Sequence, residues 1–505
     1  MYKIEVRPTC VVVNDYSIGD NPQLEKNFTV YDKVTHTFYY KSIFYNNETS
    51  QLFLPRGIDI PYLERLFNVK AWSEHSCDPF EYNSEQVLLR YGPKDERQME
   101  AMKFLLGQDN YSPNRNMSQL MLTLDTGAGK TYLGIAYIAA MNIRGIIITG
   151  SIGWLDQWKT RLREHTNMNN KDIYFIQGAG SITSLMKKSK QELAQYKVYL
   201  VSHSTISSLI ERQGKESVRE LFVHLGIGIK IFDEAHLYFD SMSTIDFNTN
   251  TFKTVYMTAT PNRGNKDEDK IFHLYFKNVP NITMFDPDND PHTHYIALRY
   301  NSRMSPRDIS RCGNIYGFNK NSYANLIVLN KHFDYMCRIV FDLIKDMPGR
   351  VLMFLASNQA IQIMYDWIYC NYPEYTGLVG IYTSINPNKS RALCNKIILT
   401  TSQSAGAALD LPGLFCSVQL AEPMKSPPQC KQRFGRTRAM GSYFIDVVDD
   451  SLQVLNKYFV NSLPMYEKYA LDIKTMKFSD KQLEEQAFKI MDSRAQQGIS
   501  PFVRL

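Results

Sequence analysis

Two hydrophobic periodicities alternate along most of this chain. Short, nearly continuous apolar runs occur at 145–150 (GIIITG), 198–202 (VYLVS), 227–236 (IGIKIFDEAH) and 254–260 (TVYMTAT). Stretches with apolar residues three and four apart, such as 131–141 and 154–165, lie between them. Runs too apolar for a half-exposed strand, interleaved with helices, predict a parallel sheet covered on both faces. A second series follows at 351–356, 379–384, 396–401, 414–421 and 443–449. Between the two series, 261–320 reads as irregular, with NRGNKDEDK and FDPDNDPH as loop signals.

The ends have a different texture. Residues 28–54 are rich in Tyr, Phe, Thr and Val with partial alternation, and Asn46-Asn47-Glu48 supplies a turn. Two or three antiparallel strands are expected there, then a short helix over 60–69 with Leu63, Leu66 and Phe67 on one face. The last ~55 residues are amphipathic and read as helical. The fold class is therefore α/β. Its expected parts are a small α+β accessory domain (1–90), a first lobe (93–280), an irregular linker (281–320), a second lobe (321–450) and a helical C-terminal segment (451–505). At 505 residues the chain exceeds what one core holds, in keeping with that division. No internal repeat or low-complexity segment interrupts it.

The strongest local chemical signal is Leu124-Asp125-Thr126-Gly127-Ala128-Gly129-Lys130-Thr131. It follows the apolar run LMLTL and opens a helical stretch, the context a phosphate-binding loop needs. Small residues at Thr126, Gly127, Ala128 and Gly129 let backbone N–H groups wrap phosphates at a helix N-terminus. Lys130 can reach the β- and γ-phosphates, and the Thr131 hydroxyl can hold Mg²⁺. The full pattern asks for Gly where Leu124 stands. About a hundred residues on, an apolar strand ends in Asp233-Glu234-Ala235-His236. Adjacent carboxylates at a strand end suit the second half of an NTP site. Asp233 would fix Mg²⁺, and Glu234 would act as general base toward the attacking water.

Asp233-Glu234-Ala235-His236 together with Thr258-Ala259-Thr260-Pro261 resembles motifs II and III of superfamily 2 helicases. The resemblance extends over residues 93–450, with five motifs in order. It implies two RecA-like lobes and a nucleic-acid-dependent ATPase that uses ATP and Mg²⁺. The family relaxes the Gly expected at 124. By the same resemblance His236, Thr258 and Thr260 couple the ATP site to the nucleic-acid channel, and Gln98 reads adenine. In the second lobe, Gln432, Arg433, Gly435 and Arg436 fit motif VI, Q-R-x-G-R-x-x-R, whose arginines stabilise charge on the γ-phosphate. The family's last Arg falls on Ala439, with Arg438 one residue early, so either the loop shifts or Arg436 is the main finger. Residues 399–413 resemble motif V, with Asp410 near the ribose and Ala408 replacing a Gly. Residues 350–358 resemble motif IV.

Track contacts follow from the same motifs. Residues 146–151 with Trp154, Gln157 and Trp158 resemble motif Ia, and Ser202-His203-Ser204-Thr205 resembles motif Ib. Ser151, Gln157, Ser204, Thr205, Thr400 and Thr401 are the candidate phosphate-backbone contacts, a sequence-independent grip. Trp154 and Trp158, one turn apart on a helix, are either core packing or base-stacking residues, and packing is the commoner use.

The strand-rich N-terminal region ahead of LFLPRG (52–57) resembles that of phage helicases of the UvsW type, which remodel branched DNA. A generic accessory β-domain accounts for it equally well. Tyr39, Tyr40, Lys41 and Tyr45 are either an aromatic–basic binding surface or a small core. The expected activity is thus ATP-driven unwinding or remodelling of single-stranded or branched DNA. RNA unwinding and transcript release, or translocation on duplex DNA, are the alternatives within the class. Intact Lys130, Thr131, Asp233, Glu234 and Arg436 argue against a module that has lost ATPase activity. The helicase-type arginine motif argues against a packaging ATPase-nuclease. Replication or recombination proteins are the implied partners, with host cytoplasm as the location for a phage-encoded chain. Net charge is only +6, from 57 basic and 51 acidic residues, so it is compatible with nucleic acid without arguing for it. The eight cysteines lack C-x-x-C spacing and read as reduced thiols, and no uncharged apolar run approaches the ~20 residues of a membrane span.

Overall fold

A computed structural model describes residues 2–496 apart from 33–36, 74–76, 125–126, 151, 260–265, 285–290, 315–316, 384, 387–388, 406–410, 426 and 438. The chain divides into two units, Met1–Asp286 and Pro287–Leu505. Each is built on a seven-stranded, all-parallel sheet.

In the first unit the strand order is Ile173–Ile176, Val198–Ser202, Gly145–Thr149, Ile229–Asp233, Lys253–Thr258, Gln119–Leu124, Asn281–Met284. The five inner strands are buried along their whole length, as covered parallel strands must be. Alternate side chains serve two cores. Leu120, Leu122, Ile147, Ile231 and Met257 face the helices Glu96–Leu106, Lys130–Met141 and Ile152–His165. Ile146, Ile148, Val201, Phe232 and Tyr256 face the other layer, which includes Phe239–Phe247 and Lys266–Phe276.

The N-terminal region joins that second core. Its five-stranded sheet runs Phe44–Asn46, Gln51–Pro55, Cys10–Asn14, Lys3–Val6, Ala71–Ser73. Ile4, Val11, Leu52, Leu54 and Leu63 pack in one cluster with Phe239, Phe272 and Tyr275. The seam is also hydrogen bonded: the Thr9 hydroxyl donates to Thr249 O, and Gln119 Nε2 donates to Thr9 O at 3.0 Å. Gly57 is required there, since a Cβ at that position would lie 2.2 Å from Tyr275 O. Beneath the seam Lys230 and Asp246 pair at 2.6 Å, both wholly buried. Tyr256 and Tyr275 donate their hydroxyls to Asp246 Oδ2, and Lys230 Nζ donates to Thr249. Burial pulls the Lys230 ammonium below the usual lysine range despite Asp246.

Several expectations need correction. Lys41 is no surface base: it is 5% exposed and pairs with Glu268 at 2.7 Å and Asp240 at 3.2 Å. Tyr45 is half-buried beside Tyr16, while Tyr39 and Tyr40 are exposed. The stretch 261–320 is not irregular where it is described. The helix Lys266–Phe276 hides behind a charged outer face, and its Ile271, Phe272, Tyr275 and Phe276 enter the core. Asn281–Met284 is an edge strand of the first sheet, and Thr293–Tyr300 belongs to the second.

The second sheet runs Val379–Tyr382, Ile397–Thr400, Arg350–Leu355, Leu414–Ala421, Ser442–Asp449, Thr293–Tyr300, Ile473–Lys477. The C-terminal segment is therefore not purely helical. Between Gln453–Tyr469 and Asp480–Gln496 it lays down the edge strand Ile473–Lys477 beside Thr293–Tyr300. All eight cysteines are free thiols. Among the described residues no helix is long and apolar enough to cross a membrane.

The buried pair sets a testable constraint. Asp246→Ala strands Lys230 in the core and should cost about 3–5 kcal/mol. Urea denaturation of the full chain is expected to show that loss in the transition of the first unit, with the N-terminal sheet melting in the same step.

Candidate active site

The phosphate loop lies between the strand Gln119–Leu124 and the helix Lys130–Met141. Gly127 (φ +91°) and Gly129 (φ +90°) both adopt the left-handed region, which glycine enters without strain. At Gly129 a Cβ would also lie 2.2 Å from Gln98 Nε2. Gln98 is 4% exposed and braces the loop: its amide donates to Ala128 O at 3.2 Å and accepts from Lys94 N at 3.0 Å. Thr126 lies outside the described residues. Lys130 and Thr131 form the first turn of the helix, and among the described residues no side chain caps its N-terminus. Its leading N–H groups are the kind of donors that suit phosphate.

Lys130 Nζ donates to Leu124 O at 3.1 Å and lies 3.8 Å from Glu234 Oε1. Asp233 ends the central strand Ile229–Asp233 and Glu234 follows it, each 5% exposed. Burial, and then the neighbouring Glu234 charge, push the Asp233 carboxyl up to about 6. Asp233 Oδ2 accepts a 2.8 Å hydrogen bond from the indole of Trp158. Glu234 holds a left-handed backbone, φ +51°, uncommon outside glycine and typical of constrained functional positions. Its Oε2 is buried and accepts no hydrogen bond among the described residues. Two buried carboxylates with such an orphaned oxygen, next to a lysine and a glycine cradle, fit a divalent cation carrying a nucleotide. Among the described residues no three His, Cys, Asp or Glu cluster as metal ligands. Mg²⁺ does not need them, since it takes one or two carboxylates plus substrate phosphates.

His236 Nδ1 and Thr258 Oγ1 are hydrogen bonded at 2.8 Å, and His236 Nδ1 lies 3.4 Å from Glu234 Oε2. Thr260 lies outside the described residues.

The candidate track contacts divide. Ser204 is exposed, while Thr205 and Gln157 are half-buried. Ser151 lies outside the described residues. Trp154 and Trp158, 3% and 1% exposed, are core residues and not base-stacking ones. Ser202 caps the helix His203–Gln213 by accepting from Thr205 N. His203 is buried, stacked between Phe232 and Tyr238, with Nδ1 on Ser241 Oγ.

In the second unit the Thr400 hydroxyl does not reach the surface expected of it. Thr400 is fully buried and donates to Tyr382 O at 2.7 Å. Thr401 caps the short helix Ser402–Ala405, accepting from Ser404 N. Arg433, on Pro427–Phe434, is held by Gln419 and by Glu422, whose Oε1 lies 3.4 Å from its Nη2. Arg436 is 8% exposed and donates to Ala405 O at 3.4 Å, and Gln432 is half-buried. Asp410 and Arg438 lie outside the described residues. The sequence reading missed Glu422. Burial would raise its carboxyl, but Arg433 and Lys320 hold it below the usual range, and it also accepts from Ser402 N. Its signal was an acid closing the apolar run LFCSVQLA, the same placement that marked Asp233.

Residues 93–263 match the family model described as type III restriction enzyme, res subunit. Over 148 residues the chain is 26% identical to a putative DNA 3'-5' helicase Rad25 of Haloarcula marismortui. That alignment takes in 29% of this chain and 21% of the relative, so the match spans about a fifth of the relative's length. S. cerevisiae Dbp5 bound to RNA and ADP BeF3 superposes with a TM-score of 0.51 at 15% identity, covering 78% of this chain and 93% of that one. Mss116p bound to ssRNA and AMP-PNP gives 0.51 at 14%, covering 82% and 84%. At such identities these structures establish the tandem RecA-like fold alone. T4 UvsW aligns over 94% of this chain and 99% of its own, at 14% identity, but with a TM-score of 0.35 it carries no argument.

Burial at His203 has a pH signature. Its imidazole is pushed down from the usual 6.5 to about 3. Below pH 6.5 the unfolded chain binds a proton that the folded state refuses, so stability falls as pH falls from 6.5 toward 3, by about 1.4 kcal/mol per pH unit. Denaturation profiles between pH 7 and 5 should be flatter for His203→Phe than for the wild type.

Proposed function

We propose that this chain is a superfamily 2 helicase that couples ATP hydrolysis to unwinding or remodelling of branched or single-stranded DNA. The observation that carries the reading is the meeting of Lys130, Asp233 and Glu234 at the mouth of a glycine-rich loop. ATP is the substrate. Bound through Asp233 and Thr131, Mg²⁺ would neutralise charge on the β- and γ-phosphates. Backbone N–H groups of Gly127 to Lys130 cradle the phosphates, and Lys130 turns from Glu234 toward the γ-phosphate. Glu234 takes the proton of the attacking water. Gln98 contacts the adenine while it braces the loop. The His236–Thr258 bond relays the state of Glu234 to the strand Lys253–Thr258. Arg436 and Gln432 are assigned to γ-phosphate charge, and Asp410 to the ribose, on motif resemblance. Ser151, Gln157, Ser204, Thr205 and the backbone near Thr401 are the proposed track contacts.

The choice of DNA rests on the relative named as a DNA helicase. RNA unwinding is the second reading, favoured by the RNA-bound state of the two superposable structures. Strand displacement on forked DNA and on matched RNA duplexes separates them. The wild type is expected to open forked DNA with ATP and Mg²⁺. Glu234→Gln should keep nucleotide binding but lower turnover by about 10²–10⁴-fold. Displacement confined to RNA would transfer the assignment to an RNA helicase. Turnover without displacement of either would leave a translocase.

A further inference from the structure

Trp158 belongs to the helix Ile152–His165, yet its indole N–H reaches across the first unit to Asp233 Oδ2 at 2.8 Å, 75 residues away in sequence. Three observations separate this contact from ordinary core packing. The first is the comparison with Trp154, one turn earlier on the same face. Trp154 is just as buried, but its N–H finds no acceptor among the described residues. Of the two indoles on this face, the one at Trp158 has its hydrogen bond on a carboxylate of another element.

The second is Gly134, inside the helix that follows the phosphate loop. A Cβ there would lie 3.0 Å from Trp158 Cη2, with Ile231 Cδ1 and Met257 Sδ at 3.5 Å. Glycine in a helix interior costs up to about 1 kcal/mol relative to alanine. The loop-bearing helix thus carries a residue that weakens it at the point where the indole needs room. The third is the target itself. Asp233 is the carboxylate that the ATPase reading assigns to the cation. A hydrogen bond to a ligating carboxylate fixes its rotation and leaves fewer orientations to lose on binding.

We propose that Trp158 is a positioning residue for the divalent cation of the ATP site, its indole N–H holding the Asp233 carboxylate in the orientation that receives the metal. The inference rests on the ATPase reading above. Gly134 serves it by admitting the ring between the loop-bearing helix and the strand Ile229–Asp233.

The test measures cation binding apart from turnover. A fluorescent, non-hydrolysable ATP analogue is titrated onto the full-length protein, without Mg²⁺ and across a Mg²⁺ series. Trp158→Phe is compared with a chain carrying benzothienylalanine at 158, which keeps the ring's shape but replaces the N–H with sulfur. Both variants should need about tenfold more Mg²⁺ for half-maximal tight binding, the lower end of what loss of such a supporting hydrogen bond does to metal affinity. Affinity without Mg²⁺ should stay at the wild-type value, and circular dichroism should remain native. If the benzothienylalanine chain behaves like the wild type, ring volume matters and the hydrogen bond does not, and the inference fails. Equal weakening with and without Mg²⁺ in both variants would also overturn it, because that pattern belongs to a packing defect. If the wild type shows no Mg²⁺-dependent nucleotide binding, the ATPase reading falls and takes the inference with it.

Discussion

Two carboxylates side by side at the end of a buried strand oppose each other and oppose burial. Asp233 and Glu234 are both 5% exposed, and the Asp233 carboxyl is driven up by desolvation and by its neighbour. Such a pair is tolerable only where positive charge is supplied close by. The fold supplies one cation from its own chain, Lys130, at 3.8 Å from Glu234. It presents that lysine on the first turn of a helix whose N-terminal N–H groups also favour anions. The rest of the first unit can be understood as the frame for this cluster. The parallel sheet brings Leu124, Asp233 and Thr258 to the same edge, and the glycines at 127 and 129 let the loop fold back over it.

The frame is stiffened from behind. The N-terminal sheet does not hang from the first unit but shares its core, through Ile4, Val11 and Leu54 on one side and Phe239 and Tyr275 on the other. The buried Lys230–Asp246 pair lies on the strand and the helix that flank the carboxylates, Ile229–Asp233 and Phe239–Phe247. An ion pair hidden there, hydrogen bonded to two tyrosines and a threonine, fixes one arrangement of these elements.

The side chains that gather at the candidate site were legible in the sequence because a site of this kind demands particular residues at fixed places relative to strand ends. Gly127, Gly129, Lys130, Asp233 and Glu234 needed no tertiary information to be found. Most inner strands were legible for a related reason, since a doubly covered strand is apolar throughout; Thr293–Tyr300, with polar residues interleaved, was read as part of an irregular linker. Apart from Val379–Tyr382, the edge strands of the two parallel sheets were not. Ile173–Ile176, Asn281–Met284 and Ile473–Lys477 are short and half-exposed, and the last sits within an otherwise helical tail. Long-range partners were the other blind spot. Nothing near Lys41 announces Glu268, nothing near Thr400 shows that its hydroxyl turns inward to Tyr382, and nothing near Trp158 points to Asp233. In each case the decisive atom lies on another element.

The most direct measurement is steady-state phosphate release by the purified full-length chain at one fixed salt concentration, without nucleic acid and with single-stranded DNA, forked DNA or RNA. The proposed coupling of the carboxylate cluster through His236 and Thr258 to a nucleic-acid track predicts slow hydrolysis by the protein alone and a severalfold rise with DNA. Hydrolysis that no nucleic acid changes, or none under any condition, would contradict it.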